Sequence, residues 1–449
     1  MASSPAGRIP LLAAQRGVWI GQQLAPDSPA YNTAEYTEIR GPADVDTLVA
    51  SIHLAVSETE AIGVLFADDD DGPSQHPGRA PAWTVHVADL TGRADPLAAA
   101  LAWMTDDLAR PVDLTAGPVF GHAVFRLAAD RVLWYHRAHH IALDGYSFGL
   151  FARRVAEVYS ARASAHELPP CWFGSLRAVA EADTAYRDSG QYHRDRDHWL
   201  AYSAGRPAPV TLAGRFGPLS GTVLRCEASL DQPVKDALAS AARAAKAVWS
   251  DALTAAFAAY VHRMTGARQV NLALPVMSRM GSVALRVPCM MLNIVPLWVD
   301  ADPVASLVEL TGRTATEIRI GRPHHRYRYE HLRRDLKLAP SDRNLFGPLA
   351  NIMPFDYGLT FASLPAVVRN ASAGPVEDMC LNIYDRADGS GLHVTLDANP
   401  ACYTSGELAV HLRRFLGFLA GLAAHPAQPI GAAALLPGEN STSYGAVLG

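Results

Sequence analysis

His139, His140, Asp144 and Gly145 stand together in the run His139-His140-Ile141-Ala142-Leu143-Asp144-Gly145, where two imidazoles, a carboxylate and a glycine crowd beside an apolar segment. Imidazole is the side chain whose charge changes near neutral pH, so it can accept, hold or return a proton during a reaction. The bulky residues Val132, Leu133, Trp134 and Tyr135 before the run predict a strand, and successive strand side chains point to opposite faces. His139 and His140 are therefore expected to do different jobs. One is buried in a supporting hydrogen bond, the other looks into a cavity, and Asp144 falls in the turn that leads into the next helix.

Three chemistries compete for this run. His136, His140 and Asp144 recur at the four-residue spacing of zinc ligands on a helix, but Val132 to Ala138 reads as strand and no H-E-x-x-H occurs, so no metal is assigned. Gly145, Tyr146, Ser147, Phe148 and Gly149 spell the G-x-S-x-G of a serine hydrolase. A nucleophile elbow places its serine directly at the strand-to-helix turn, however, and here Ile141 to Asp144 intervene. Acyl transfer without a covalent enzyme intermediate is the third reading. It needs one exposed histidine, a bracing aspartate and an acyl donor that arrives already activated.

The elements that must hold these residues alternate between strand and helix, which predicts an α/β fold. Strands are expected at Glu35 to Ile39 and Val64 to Phe66, and helices at Val45 to Ser57 and Pro96 to Leu108. Val119 to Leu127 and Val132 to Ala138 read as a hairpin, followed by a helix from Gly145 to Tyr159 with Phe148, Phe151, Val155 and Val158 on one face. Ser164 to Pro170 is the first strong break, and a polar helix from about Ser175 to Tyr202 is expected as a connector. A second half follows, with a strand at Thr222 to Ala228, a helix after Asp231, a helix with Ser250 as N-cap and Gly266 past its end, and a buried strand at Val270 to Pro275. The expected division is 1–175, 176–436 and a linker at 437–449, whose small, polar, aperiodic residues suggest excision from a longer chain.

Composition narrows the class. At 449 residues the chain exceeds what one hydrophobic core usually holds, so two lobes are expected. A net charge of -5 with no Lys/Arg run argues against nucleic acid, and Asp68 to Asp71 reads as a solvated loop. The cysteines Cys171, Cys226, Cys289, Cys380 and Cys402 are scattered without a C-x-x-C pair, which fits a reduced, cytoplasmic setting. The most apolar stretch, Ala252 to Val261, is too short to cross a membrane.

The H-H-x-x-x-D-G run resembles the signature of the condensation domains of nonribosomal peptide synthetases, relatives of chloramphenicol acetyltransferase. Leu11 to Leu24 (LLAAQRGVWIGQQL) resembles the opening motif of that family. Ala284 to Val299 (ALRVPCMMLNIVPLWV) and Asn344 to Tyr357 (NLFGPLANIMPFDY) resemble its late ones, in the expected order. Where many members have Arg-His-Glu followed by Leu-Arg, Ser57 to Ile62 reads Ser-Glu-Thr-Glu-Ala-Ile, a variant similar to siderophore synthetase condensation domains. Two intact histidines and a three-residue gap before Asp144 set the chain apart from heterocyclisation and dual epimerisation/condensation domains.

The resemblance implies two chloramphenicol acetyltransferase-like lobes in a V-shaped pseudo-dimer with a central tunnel. It implies donor and acceptor peptidyl carrier proteins delivering thioesters on 4'-phosphopantetheine arms, an adjacent adenylation domain in the parent synthetase, and no cofactor bound by this chain. His140 is implied as positioner and general base for the acceptor amine, with His139 in a buried supporting bond. The N–H of Gly145 is implied to steady oxyanion charge, and Asp144 to form a cross-lobe ion pair with Arg279. Ser147, Asn293 and Asn351 are expected along the tunnel. The remaining alternatives are a G-x-S-x-G hydrolase and a noncatalytic domain that only docks carrier proteins.

Overall fold

The computed structural model describes residues 7–70, 72–77, 81–338, 345–353, 358–385 and 389–435. The expected linker at 437–449, Asp71, Asn344 and residues 354–357 of the last motif lie outside the described residues. The chain runs β1 (Ile9–Pro10), α1 (Ala13–Leu24), β2 (Asn32–Arg40), α2 (Val45–Glu58), β3 (Val64–Asp69), β4 (Gly72–Pro77), β5 (His86–Asp89), α3 (Pro96–Leu108), β6 (Phe120–Ala128), β7 (Arg131–His139), α4 (Gly145–Ala163) and α5 (Leu176–Arg187). It continues with α6 (Gly190–Ser203), β8 (Leu224–Leu230), α7 (Gln232–Ala244), α8 (Trp249–Thr265), β9 (Gln269–Val276), β10 (Asn293–Asp300), α9 (Leu307–Gly321) and α10 (Tyr329–Asp335). The last elements are β11 (Leu349–Met353), β12 (Thr360–Phe361), β13 (Leu364–Ser372), β14 (Met379–Asp385), β15 (Leu392–Ala398) and α11 (Ser405–Ala424). The mixed α/β class matches the expectation.

Two compact units result, each assembled from three chain segments. The first comprises Met1–Gln191, Met277–Leu292 and Tyr357–Gly374; the second comprises Tyr192–Val276, Asn293–Asp356 and Pro375–Gly449. The division expected at 175 thus shifts. Leu176, Val179 and Ala180 of α5 are buried in the core of the first unit, and the Asp183 carboxylate accepts the Ala13 N–H there at 2.6 Å, so α5 cannot belong to the second. The single connector helix is also two helices, because the chain turns at Asp188 and Ser189 between α5 and α6.

The six-stranded sheet of the first unit has the order β12-β13-β2-β7-β6-β5, which places β7 between two antiparallel neighbours, and a three-stranded sheet, β1-β4-β3, lies in the same unit. Both faces of β7 are covered, which explains its unbroken apolar run. Val132 and Trp134 join the core with α2 and α4, whereas Leu133 and Tyr135 pack with Ala100 and Met104 of α3. Each such large side chain contributes about 1.5–3 kcal/mol by leaving water, so the strand that carries the histidines is among the most firmly held parts of this unit.

The second unit has the sheet order β10-β9-β11-β14-β15-β8. Leu381, Ile383, Val394 and Leu396 turn one face to a core shared with α8 and α11. Helix α8 starts before the expected cap: Val248 is the N-cap, the Asp251 carboxylate accepts the Val248 N–H at 3.1 Å, and Ser250 lies inside the helix. Among the described residues no helix is long and apolar enough to cross a membrane.

Candidate active site

His139 is the last residue of β7 and His140 the first beyond it, so the strand's end separates their environments. The His139 Nδ1 accepts the Ile141 N–H at 3.2 Å, which puts the ring hydrogen on Nε2, where it is donated to Gln22 Oε1 at 3.0 Å. Gln22 cannot turn its amide the other way. Its Nε2 donates to the carbonyls of Ala25, Pro26 and Ser28 at 3.1, 2.9 and 3.2 Å. Burial, reinforced by the neighbouring His140 and Arg137, pushes the His139 pKa down to about 3, so this ring is a neutral structural strut.

His140 is held differently. Its backbone N–H donates to the Tyr31 carbonyl at 2.7 Å, and its Nδ1 lies 3.0 Å from the Leu143 carbonyl. A carbonyl only accepts, so Nδ1 carries the hydrogen and Nε2 keeps a lone pair, with no hydrogen-bond partner among the described residues. Burial lowers the His140 pKa, the Leu143 carbonyl and the Asp144 charge offsetting only part of that effect. The result is a neutral imidazole with its basic nitrogen unengaged.

Asp144 caps α4 and collects donors from three directions. Its oxygens accept the Ser147 N–H and hydroxyl at 3.0 and 2.8 Å and the N–H groups of Met291 and Leu292 at 2.9 and 3.0 Å. The Arg279 guanidinium, 0% exposed, adds Nη2 at 2.9 and 2.8 Å from the two oxygens. Burial alone would raise the Asp144 pKa, but Arg279 and these N–H donors hold it below the usual carboxylate range. Arg279 in turn donates to the carbonyls of Ala284, Val287 and Cys289 and packs over the Tyr146 ring at 5.1 Å. The pair is not cross-lobe: Arg279 comes from the later half of the chain, yet its segment, Met277–Leu292, is built into the first unit with Asp144.

Several expected positions take other roles. Ser147 is 0% exposed; its Oγ meets Asp144, Arg279 and both the N–H and carbonyl of Cys289, so it neither lines a tunnel here nor serves as a nucleophile with a histidine at hand. Asn293, also buried, donates to the carbonyls of His325 and Tyr327 and accepts the Tyr329 N–H, so its amide fastens the turn before α10. Asn351 is half-buried on β11, where its Nδ2 donates to Asn382 Oδ1 at 2.9 Å. His136 stacks on Trp134 at 4.6 Å inside β7, and Asp144 is committed to Arg279, so the zinc-like spacing brings no ligand set together. Gly145 is the first residue of α4, exposed, with nothing within 4 Å of where a Cβ would stand. Sequence reasoning singled out neither Gln22 nor the Cys289–Leu292 backbone. Gln22 lies inside the opening motif, so a polar residue kept on the buried side of α1 was its signal.

These contacts leave one basic nitrogen, on His140, beside a rigid helix start. A neutral imidazole of this kind can take a proton from an amine as a bond forms to an activated acyl carbon, without metal ligation or a serine nucleophile. The model of the condensation domain family matches residues 6–443. The chain is 48% identical over 94% of its length to an isonitrile lipopeptide synthase of Streptomyces coeruleorubidus, and 29% identical over 96% to enterobactin synthase component F of Escherichia coli (strain K12). It spans 29% and 34% of the length of those two proteins. A crystal structure of the starter condensation domain of rhizomide synthetase, a variant in complex with C8-CoA and Leu-SNAC, superposes with a TM-score of 0.91 at 41% identity, covering 96% of this chain and 98% of that one. The chain therefore belongs to the condensation-domain family of nonribosomal peptide synthetases, acyltransferases that form amide bonds from carrier-bound thioesters.

Proposed function

We propose that this chain joins a fatty-acyl thioester to the free α-amine of a carrier-bound aminoacyl thioester, and that His140 receives the proton. The carrying observation is the locked His140 ring, whose Nδ1 faces the Leu143 carbonyl at 3.0 Å while Nε2 has no partner among the described residues. An α-amine has a pKa near 8 and is already partly neutral at pH 7, so a strong base is unnecessary. As nitrogen attacks the thioester carbonyl, its proton passes to His140 Nε2, the C–S bond breaks, and the departing pantetheine thiolate is reprotonated. Gly145 lets the thioester come close to the start of α4, whose dipole favours developing negative charge.

The donor assignment follows the relatives: the 48% identity is to a lipopeptide synthase, and the starter domain at 41% identity was solved in complex with C8-CoA and Leu-SNAC. Siderophore-type donors are the competing reading, since enterobactin synthase component F is 29% identical. Donor and acceptor peptidyl carrier proteins are the partners, and an adenylation domain adjoins in the parent synthetase. Asp144 and Arg279 act by holding the loop, and His139 by bracing the strand end.

Single-turnover mass spectrometry with a loaded aminoacyl carrier tests this, offering octanoyl, hydroxybenzoyl and aminoacyl donors in turn. Octanoyl transfer is expected fastest, with His140→Ala slowed about 10²- to 10⁴-fold, the range for a lost general base. Fastest transfer of hydroxybenzoyl would replace the donor assignment, and an unaltered His140→Ala rate would remove the base.

A further inference from the structure

Beyond β13 the backbone runs directly against His140. A Cβ on Gly374 would stand 3.0 Å from His140 Cδ2, 3.6 Å from Nε2 and 3.4 Å from Thr33 Cγ2. The first of these is tighter than nearly all real side-chain contacts, so any residue larger than glycine would displace the ring. Gly374 also has a φ of +96°, a conformation side chains rarely adopt. The approach is anchored rather than incidental: β13 pairs with β2 up to Ser372 opposite Ala34, the Ser372 hydroxyl donates to the Asn32 carbonyl at 2.9 Å, and the Gly374 N–H reaches the Ser372 Oγ at 3.4 Å.

This wall sits where it controls the chemistry. The terminal torsion of a histidine has two broad, roughly opposite settings. Rotated away, the ring would lose the Leu143 bond that keeps the proton on Nδ1, and Nε2 would no longer be the basic nitrogen. Packing from the Cδ2 side holds the ring in the bonded setting.

We propose that Gly374 is a positioning residue for His140: its bare α-carbon is the backstop that keeps the imidazole rotated so that Nδ1 stays bonded and Nε2 meets the reacting amine. This rests on His140 being the proton acceptor. A Cβ at 374 would move the ring a few tenths of an ångström, and misplacements of about 1 Å cost roughly 100-fold, so a loss of about 10-fold is expected.

The test is a double-mutant cycle read in single turnover with loaded carriers, with kcat and acceptor KM measured separately. Gly374→Ala should lower kcat about 10-fold with KM within about two-fold, and should cost nothing further in a His140→Ala background. Thr33→Ser, which removes Cγ2 but keeps the hydroxyl bond to the Ala138 carbonyl, should restore part of the loss. Equal losses in both backgrounds, or a change confined to KM, would overturn the assignment. A His140→Ala rate equal to wild type would instead overturn the reading of His140, and Gly374 with it. Should Gly374→Ala fail to fold, Ser372→Ala loosens the same backstop without adding an atom. Its imidazole nitrogen NMR signals should then show the Nδ1 proton less firmly held, and an unchanged spectrum would count against the backstop.

Discussion

Asp144 in the first unit and Asp378 in the second are both almost fully buried aspartates, yet their carboxyls are driven in opposite directions. Asp144 meets a buried guanidinium and several N–H donors and stays ionised below the ordinary carboxylate range. Asp378 receives the Tyr403 hydroxyl on Oδ1 at 2.7 Å, while Oδ2 is buried without a hydrogen-bond partner. Burial pushes it up to about 6, the Tyr403 hydroxyl recovering only part. Burial sets the penalty in both places, and the number and charge of donors decide which protonation state survives it. One aspartate is a permanent anion around which a loop is built; the other holds a proton up to mildly acidic pH.

The largest expected difference comes from deleting each carboxylate. Asp144→Ala leaves the Arg279 charge buried and unpaired, a loss of about 3–5 kcal/mol, and is expected to yield insoluble or unfolded protein. Recovery of soluble protein with a cooperative unfolding transition would break the contrast. Asp378→Asn should instead stabilise the protein above pH 6, by on the order of 1–3 kcal/mol in urea unfolding, since no ion has to be kept in the interior. A destabilised variant at pH 8 would show that the Asp378 anion is supported after all.

Dependence on pH gives a gentler test of the same contrast. The folded pKa of Asp378, about 6, lies above its unfolded value near 3.9, so its contribution is complete below about pH 4 and is lost as pH rises through 6. Asp144 is depressed, so its contribution is present above about pH 4 and lost as pH falls through its folded pKa. Hydrogen exchange between pH 4.5 and 7.5 should therefore show amides around Asp378 opening more readily at the higher pH, while those around Asp144 do not respond. The smallest effect is expected at Asn351. The Arg225–Asp397 pair and the Asn382 amide orient it, leaving its Oδ1 without a partner among the described residues. Asn351→Leu should change stability by less than about 1 kcal/mol, and a loss of several would mean the amide supports the sheet.

Much of the first unit was legible because β7 and α4 announce themselves by period and length, and because the H-H-x-x-x-D-G run sits at their junction. The ion pair was half legible: the partners Asp144 and Arg279 could be named, but not that Met277–Leu292 folds back into the unit of Asp144. Nothing local in a sequence reports which unit a loop joins. The same blindness hid Gly374, which matters only because β13 pairs with β2 more than three hundred residues away in the chain. Ser147 misled for a different reason. A serine three residues into a helix reads the same whether it caps a cluster or faces a cavity, and only the buried Cys289 backbone beside it decides.

The interleaving of segments also limits how such a protein can be taken apart. A fragment ending near Gln191 would keep both histidines but lack Arg279 and β13, leaving Asp144 without its counter-ion and β2 with a bare edge. Recombining synthetases by exchanging only the first half of this region would import foreign versions of both supports, so a working graft has to carry residues 277–292 and 357–374 along with the histidine strand they complete.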